Sequence, residues 1–172
     1  SGCTATASGN VSGIPSLSTS FVTVMDSCFH AGRGSATVRV SGGSAPYAYS
    51  WNNFATDTTN ANIIAGTYSV TVTDNNGCTT SGSATVPGPA NPLYYTSTIQ
   101  HVNCNGNSTG SYNITPTGGT AGYTFQWNPN ISTSNNLSGL AAGIYTFTIT
   151  DSYACTVIGG DTVEQPATAL SA

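Results

Sequence analysis

The five cysteines are the residues of this sequence whose spacing says most about chemistry. Cys28 and Cys104 each precede an alternating apolar segment, and Cys78 and Cys155 each follow one. No two of them have the C-x-x-C spacing typical of zinc sites, which favours disulfides over metal binding. The predicted disulfides are Cys28–Cys78 and Cys104–Cys155. Each would staple a domain of about 75 residues with a small core, and closing such a loop stabilises by about 4 kcal/mol on the chain-entropy model.

The remaining cysteine, Cys3, has no partner in this scheme. Cys3 and Val11 are spaced as Cys78 and Val86 are, so residues 1–15 are predicted to be the last strand of a preceding repeat plus a linker. An unrelated N-terminal tail is the alternative. Cys3 would then pair upstream, and a free or intermolecular thiol is the alternative. Disulfides also indicate an oxidising compartment, outside the cytoplasm.

Catalytic chemistry is not indicated by the histidines or the carboxylates. Nucleophilic catalysis needs a nucleophile, a base and an orienting group, and His30 and His101 do not occupy equivalent positions. Asp74 and Asp151 are equivalent and could bind Ca²⁺, but one carboxylate per turn favours hydrogen bonding to backbone N–H groups. We therefore predict a protein that is not an enzyme and has no cofactor and no metal site.

Two sets of aromatic residues at i, i+2 and i+4 lie on one face of a predicted strand. Such a face could stack on a sugar or fill the core of a β-sandwich. The core is favoured because the opposite face carries no large apolar residue, and the sugar platform is the alternative. The two sets are Tyr47, Tyr49, Trp51 and Tyr123, Phe125, Trp127.

The composition narrows the class of partner. Only 5% of the residues are charged, there are two arginines and no lysine, and the net charge is −4. A nucleic-acid surface needs clustered Lys and Arg, and so does binding to anionic lipid. No apolar run reaches the roughly 20 residues that span a bilayer, so we expect no nucleic-acid partner and no direct membrane insertion.

The elements that must position these residues occur twice. Cys28 is followed by Trp51 at the same interval that separates Cys104 from Trp127. Short alternating segments separated by Gly, Pro and Asn favour a β-sandwich over any helical fold. In the first copy the predicted strands cover 21–25, 35–41, 47–51, a short segment at 62–64, 67–73 and 79–86. The predicted domains are 1–15, 16–89 and 90–172, with a semi-rigid linker at 87–92 that holds three prolines.

These motifs together resemble a known family. The pattern Gly-Gly-x-x-x-Tyr-x-Tyr-x-Trp at 42–51, then Ala-Gly-x-Tyr-x-Val-x-Val-x-Asp-x-x-Gly-Cys at 65–78, resembles the SprB repeat of large surface adhesins in gliding Bacteroidetes. PKD-type and other Ig-like modules share part of it. The second copy departs from the pattern at Gly122 and Ala154. The resemblance implies an all-β fold of two tandem immunoglobulin-like β-sandwich repeats after an N-terminal strand remnant.

The resemblance also implies a function. The chain is interpreted as a structural repeat segment of a long extracellular adhesin or surface filament, a disulfide-stapled stalk for attachment or gliding. Its expected partners are neighbouring repeats of the same polypeptide or fibre subunits, and surface glycans. A carbohydrate-binding β-sandwich module is the alternative. The sequence Asp-Thr-Val at 161–163 is similar to an O-glycosylation motif of exported Bacteroidetes proteins, which makes Thr162 a candidate acceptor.

Overall fold

The computed structural model describes residue 13 and residues 15–167. The regular secondary structure of the described residues consists of β-strands. These residues contain no helix that is long and apolar enough to cross a membrane. Cys3 and most of the predicted strand remnant lie outside the described residues. The strands are β1 Ser18–Val24, β2 Gly34–Ser41, β3 Ala48–Trp51, β4 Thr59–Ile63, β5 Gly66–Thr73, β6 Thr79–Val86, β7 Tyr94–Gln100, β8 Gly110–Thr117, β9 Thr124–Asn128, β10 Asn136–Leu140, β11 Gly143–Thr150 and β12 Thr156–Val163.

The same topology is built twice. The first six strands form two sheets, ordered β1-β2-β4 and β3-β5-β6, and the last six form β7-β8-β10 and β9-β11-β12. The β1/β2, β3/β5, β7/β8 and β9/β11 pairs are antiparallel, as are β8/β10 and β11/β12. If the six strands are lettered A, B, C, E, F and G, the sheets read ABE and CFG, which is the immunoglobulin strand order. The fold is therefore two tandem Ig-like β-sandwiches, as predicted.

Alternation along the strands explains why they form. In β11, Tyr145, Phe147 and Ile149 are buried, and the threonines between them are only partly buried on the other face. A period of two places one face of the strand in the core. The register then sets Phe147 opposite Trp127, so large side chains of neighbouring strands meet.

The chain divides into two units. Unit 1 holds the described residues up to Val24, together with Ser35–Ala61 and Thr67–Val86, and unit 2 holds Met25–Gly34, Asn62–Gly66 and residues 87–167. The loop that joins β1 to β2 therefore packs as part of unit 2. The predicted domain boundaries at 16–89 and 90–172 follow the sequence repeat. The two units follow contacts in the folded chain, so segments 25–34 and 62–66 of the first repeat belong to unit 2.

The core of unit 2 is built around aromatic rings. Trp127 and Phe147 meet edge to face with centroids 5.2 Å apart, and Tyr112 meets Trp127 at the same distance. Such contacts add to the stabilisation from burial. The buried residues come from both sheets: Val102, Tyr112, Ile114, Trp127, Leu137, Leu140, Tyr145, Phe147, Ile149 and Val163.

The first six strands have a lighter core, with more Val and Ala. Phe21 of β1 meets Trp51 of β3 edge to face at 6.4 Å and so joins the two sheets. Gly82 of β6 lies under the Phe21 ring, where a Cβ atom would approach the ring to 2.7 Å. The other buried apolar residues are Ala36, Val38, Ile63, Val70, Val72, Ala84 and Val86.

Strand β4 is where the predicted strand pattern was wrong. A short segment at 62–64 was expected, but the strand runs over Thr59–Ile63. Asn60 is 2% exposed, and its amide exchanges two hydrogen bonds with the amide of Asn53, of 2.9 and 3.0 Å. This reciprocal pair allows a polar side chain to occupy an inward position, because its hydrogen bonds are satisfied.

Candidate functional site

Asp74 organises the turn between β5 and β6. Its Oδ1 accepts hydrogen bonds from the N–H groups of Asn76 and Cys78, at 2.9 and 2.8 Å. Its Oδ2 accepts one from Ser44 N–H at 3.0 Å, which joins this turn to the turn between β2 and β3. The side chain is only 6% exposed. The carboxylate therefore bonds backbone N–H groups of two turns.

The hydrogen bonds keep Asp74 ionised. Burial raises the pKa of its carboxyl, but the N–H groups of Ser44, Cys78 and Asn76 stabilise the charged form. The pKa consequently lies below its ordinary value of 3.8.

Asp151 makes the same set of bonds in the turn between β11 and β12. Its Oδ1 accepts from Tyr153 and Cys155 N–H, both at 2.9 Å, and its Oδ2 accepts from Thr120 N–H at 2.9 Å. Among the described residues, no group of three or more His, Cys, Asp or Glu side chains could hold a metal ion. Both aspartates thus serve as turn anchors in this geometry.

The two tryptophans lie inside the sandwiches. Trp51 and Trp127 are 2% and 1% exposed, and their indole N–H groups donate to the carbonyls of Asp57 and Ser134, both at 2.8 Å. Neither indole ring is available to stack on a sugar.

The other four aromatic residues of the two sets are partly buried. Tyr47 and Tyr123 donate from their hydroxyls to Gly42 and Gly118 carbonyls, at 2.8 and 2.7 Å. These bonds fix the turn that precedes each strand. Tyr49 is partly buried, and Phe125 and Tyr123 pack against the core of unit 2.

The cysteines do not pair as predicted. Cys28 is bonded to Cys155, with Cα atoms 5.7 Å apart, and Cys78 and Cys104 are free and exposed. The predicted pairs Cys28–Cys78 and Cys104–Cys155 are therefore wrong. The observed disulfide lies within unit 2, because the loop that carries Cys28 packs there.

The topology of the second sandwich explains this correction. Hydrogen bonding between Asp151 and Thr120 places the Cys155 turn beyond the end of β8, whereas Cys104 precedes the start of that strand. Eight residues of β-strand span about 24 Å, and disulfides require Cα atoms about 4.4–6.8 Å apart. Two cysteines at opposite ends of one sandwich cannot meet.

Asp26 is a buried acidic residue whose role the sequence did not reveal. Its carboxylate accepts from the N–H groups of Arg33 at 2.9 Å and Gly32 at 3.3 Å, and its own N–H donates to Pro87 carbonyl at 2.8 Å. These bonds hold the loop that presents Cys28. The second copy has Val102 at the equivalent position, so the repeat comparison gave no signal for it.

The remaining candidates are Thr162 and the two histidines. Thr162 is exposed on β12. His101 accepts a hydrogen bond from Glu164 N–H through Nδ1 at 3.0 Å, and His30 stacks on Phe29. Among the described residues, the hydrogen bonds and ring contacts of the two histidines include no nucleophile paired with an orienting carboxylate.

Comparison with protein families gives matches in both copies. The model of the family described as SprB repeat matches residues 20–56 and residues 96–131. Each segment runs from the first strand of a sandwich through the tryptophan-bearing strand. No match was found among curated proteins.

Three of the solved structures that are similar to the chain follow. An amphioxus IgVJ-C2 molecule has TM-score 0.37 and 11% identity, covering 72% of this chain and 91% of that one. Murine CEACAM1b has TM-score 0.32 and 12% identity, covering 87% and 99%. Domains 4 and 5 of the S-layer protein SbsC have TM-score 0.31 and 15% identity, covering 89% and 100%.

Proposed function

We propose that this chain is a structural segment of a long extracellular adhesin or surface filament, because the SprB repeat model matches residues 20–56 and 96–131. The segment acts as a disulfide-stapled stalk in attachment or gliding. Its partners are neighbouring repeats. The observation that carries this proposal is that one sandwich design is built twice, with its conspicuous polar and aromatic side chains bonded internally.

The position of the chain ends in the second sandwich supports a stalk. Strand β7 begins at Tyr94, opposite Thr117 at the end of β8, which is the end that holds the Asp151 turn. Strand β12 finishes at Val163, opposite Gly143 at the start of β11. The chain thus enters the second sandwich at one end and leaves it at the other, a strand length of about 24 Å away.

The same arrangement suits a load-bearing role. Tension applied between entry and exit runs along the strands of this sandwich. The seven residue pairs between β7 and β8 and the eight between β11 and β12 are then loaded together in shear. Loading many hydrogen bonds at once resists force better than opening them one by one. Repetition adds reach and, for a distal ligand, avidity.

Immunolabelling tests the location. Antibodies raised against the 172-residue chain should label intact cells that produce it, without permeabilisation. An antibody to a cytoplasmic protein serves as the control for membrane integrity. Labelling that appears only after permeabilisation would contradict the proposal.

Thr162 is proposed as an O-glycan acceptor of the exported protein. It is exposed on β12, and its N–H donates to Asp161 Oδ1 at 2.7 Å. Intact-mass analysis of protein from the producing cells should show added sugar mass that Thr162→Ala removes. Thr156→Ala, on the same strand and also exposed, is the matched control and should keep the added mass; loss in both variants, or in neither, would contradict this assignment.

A further inference from the structure

The four described cysteines fall into two classes by position. Cys28 and Cys104 precede the second strand of each sandwich, and we name them the loop cysteines. Cys78 and Cys155 follow the turn aspartates, and we name them the turn cysteines. The observed disulfide joins one member of each class, and these two come from different sequence repeats. The free thiols are the other member of each class.

The two loop cysteines are presented by the same backbone turn. Cys28 carbonyl accepts from Ala31 N–H at 3.1 Å, and Cys104 carbonyl accepts from Asn107 N–H at 3.1 Å. Because the same i to i+3 hydrogen bond closes both turns, Cys104 begins its turn as Cys28 begins its own. Cys104 is exposed and is held on a loop whose Gly106 N–H donates to Gln165 Oε1 at 3.0 Å.

The two turn cysteines are also equivalent. Cys78 N–H donates to Asp74 Oδ1 at 2.8 Å, and Cys155 N–H donates to Asp151 Oδ1 at 2.9 Å. Each cysteine carbonyl in turn accepts from the N–H of its aspartate at 2.9 Å. Cys78 is exposed, whereas Cys155 is partly buried.

The second sandwich carries one cysteine of each class at opposite ends. The turn with Cys155 lies at the end where the chain enters, next to Thr120. The loop with Cys104 lies where the chain leaves, because Val102 N–H donates to Glu164 carbonyl at 2.9 Å, just after β12. A loop cysteine can therefore reach the turn cysteine of the next repeat, as Cys28 reaches Cys155. It cannot reach the turn cysteine of its own repeat, which lies at the opposite end of the sandwich.

We propose that Cys104 and Cys78 are complementary linking sites, and that the partner of each is another copy of this chain. Cys104 of one copy forms the loop-to-turn disulfide with Cys78 of the next, as Cys28 does with Cys155. A link between two different patches is heterologous, so it joins copies head to tail and builds an open array wherever the rotation between copies does not close a ring. This deepens the proposed function by naming the partner, and it rests on that function.

The cross-link is a two-electron oxidation of two thiols, and a disulfide of the glutathione type is the oxidant. The Cys104 thiolate attacks one sulfur of glutathione disulfide, forming a mixed disulfide and releasing one glutathione thiolate. The Cys78 thiolate then attacks the Cys104 sulfur and releases the second glutathione. Two protein thiols and one glutathione disulfide become one protein disulfide and two glutathiones.

The test uses the full chain with Cys3→Ser in every variant, so that this thiol cannot contribute. C78S leaves the Cys104 thiol and C104S leaves the Cys78 thiol. Each variant alone, and an equal mixture of the two, is incubated with glutathione disulfide and separated on a non-reducing gel. Peptide mapping of the Cys28–Cys155 disulfide checks that each variant is folded.

The mixture should form a heterodimer linked from Cys104 to Cys78, at a rate at least about tenfold above either homodimer, because docked complementary ends raise the effective thiol concentration. The chain that keeps both thiols should form a ladder that reductant collapses. Homodimers that form as fast as the heterodimer, or no cross-link at all, would overturn the proposal. Cell labelling would be unaffected by that failure, whereas an intracellular location would overturn the proposed function and leave the cross-linking result standing.

Discussion

At the scale of single residues, Asp74 stabilises its turn through charge as well as geometry. Three N–H groups point at one carboxylate, and together they outweigh the cost of its burial and lower its pKa. A group whose pKa is lower in the folded than in the unfolded state contributes stability above its unfolded pKa. That contribution is lost as the pH falls through the folded pKa. Unit 1 should therefore be destabilised by acid below about pH 3.8.

Replacing Asp74 by Asn tests this. The amide keeps one acceptor oxygen, but it loses the charge and turns an NH₂ group toward Ser44 N–H. We expect a lower melting temperature at pH 7 and a weaker dependence of stability on pH below 3.8 than in the parent chain, measured by calorimetry. Asp57→Asn removes an exposed carboxylate and is the control. A pH profile like that of the parent would show that Asp74 does not supply the acid sensitivity.

At the scale of elements, the two equivalent turns differ at one position. Gly77 has φ of +82° in the turn between β5 and β6, and Ala154 has φ of +61° in the turn between β11 and β12. Glycine adopts this conformation freely, whereas an L-residue with a Cβ is disfavoured there by about 1–2 kcal/mol. The second turn therefore carries backbone strain that the first turn does not.

Exchanging these two residues should move stability in opposite directions. Ala154→Gly should stabilise the chain by about 1 kcal/mol, and Gly77→Ala should destabilise it by a similar amount. Space is not the cause, since a Cβ at Gly77 would meet no atom within 4 Å. Urea unfolding followed by tryptophan fluorescence measures both changes. If both variants changed the free energy of unfolding in the same direction, the turn conformation would not control stability here.

The sequence predicted most strands because their inward residues alternate. Val70 and Val72 identified β5 in this way, and Tyr145, Phe147 and Ile149 identified β11. The prediction failed for β4, whose inward Asn60 depends on a partner amide that only the folded chain brings near.

The disulfide prediction failed for a different reason. Both predicted pairs were chosen within a sequence repeat, where the cysteines are 50 or so positions apart. Spacing along the chain does not show which ends of a sandwich two residues occupy. In the second copy, strand β8 separates Cys104 from the turn of Cys155, and only the strand order makes that separation visible.

At the scale of the whole molecule, the disulfide closes a very long loop. Cys28 and Cys155 are 127 positions apart, so the cross-link removes much of the freedom of the unfolded chain. Replacing both cysteines by serine should destabilise by about 2–5 kcal/mol. The measurement is the midpoint of urea unfolding under non-reducing conditions.

The free cysteines supply the matched control for that experiment. C78S/C104S removes two thiols that form no disulfide within the chain, so its unfolding midpoint should stay close to that of the parent. Reductant should lower the midpoint of this control and leave C28S/C155S unchanged. A reductant effect that persists in C28S/C155S would mean that another bond supplies the stability.

The two arginines have a consequence for survival outside the cell. Proteases of trypsin specificity cut after Lys or Arg, and this sequence offers them only Arg33 and Arg39. Arg39 lies in β2, the central strand of its sheet, and the Arg33 N–H is bonded to buried Asp26. Cleavage requires an extended, mobile backbone. The native protein should therefore stay intact under trypsin conditions that cleave the urea-unfolded chain, as judged on a gel. In the proposed surface filament, this scarcity of sites would limit cutting by secreted proteases of trypsin specificity.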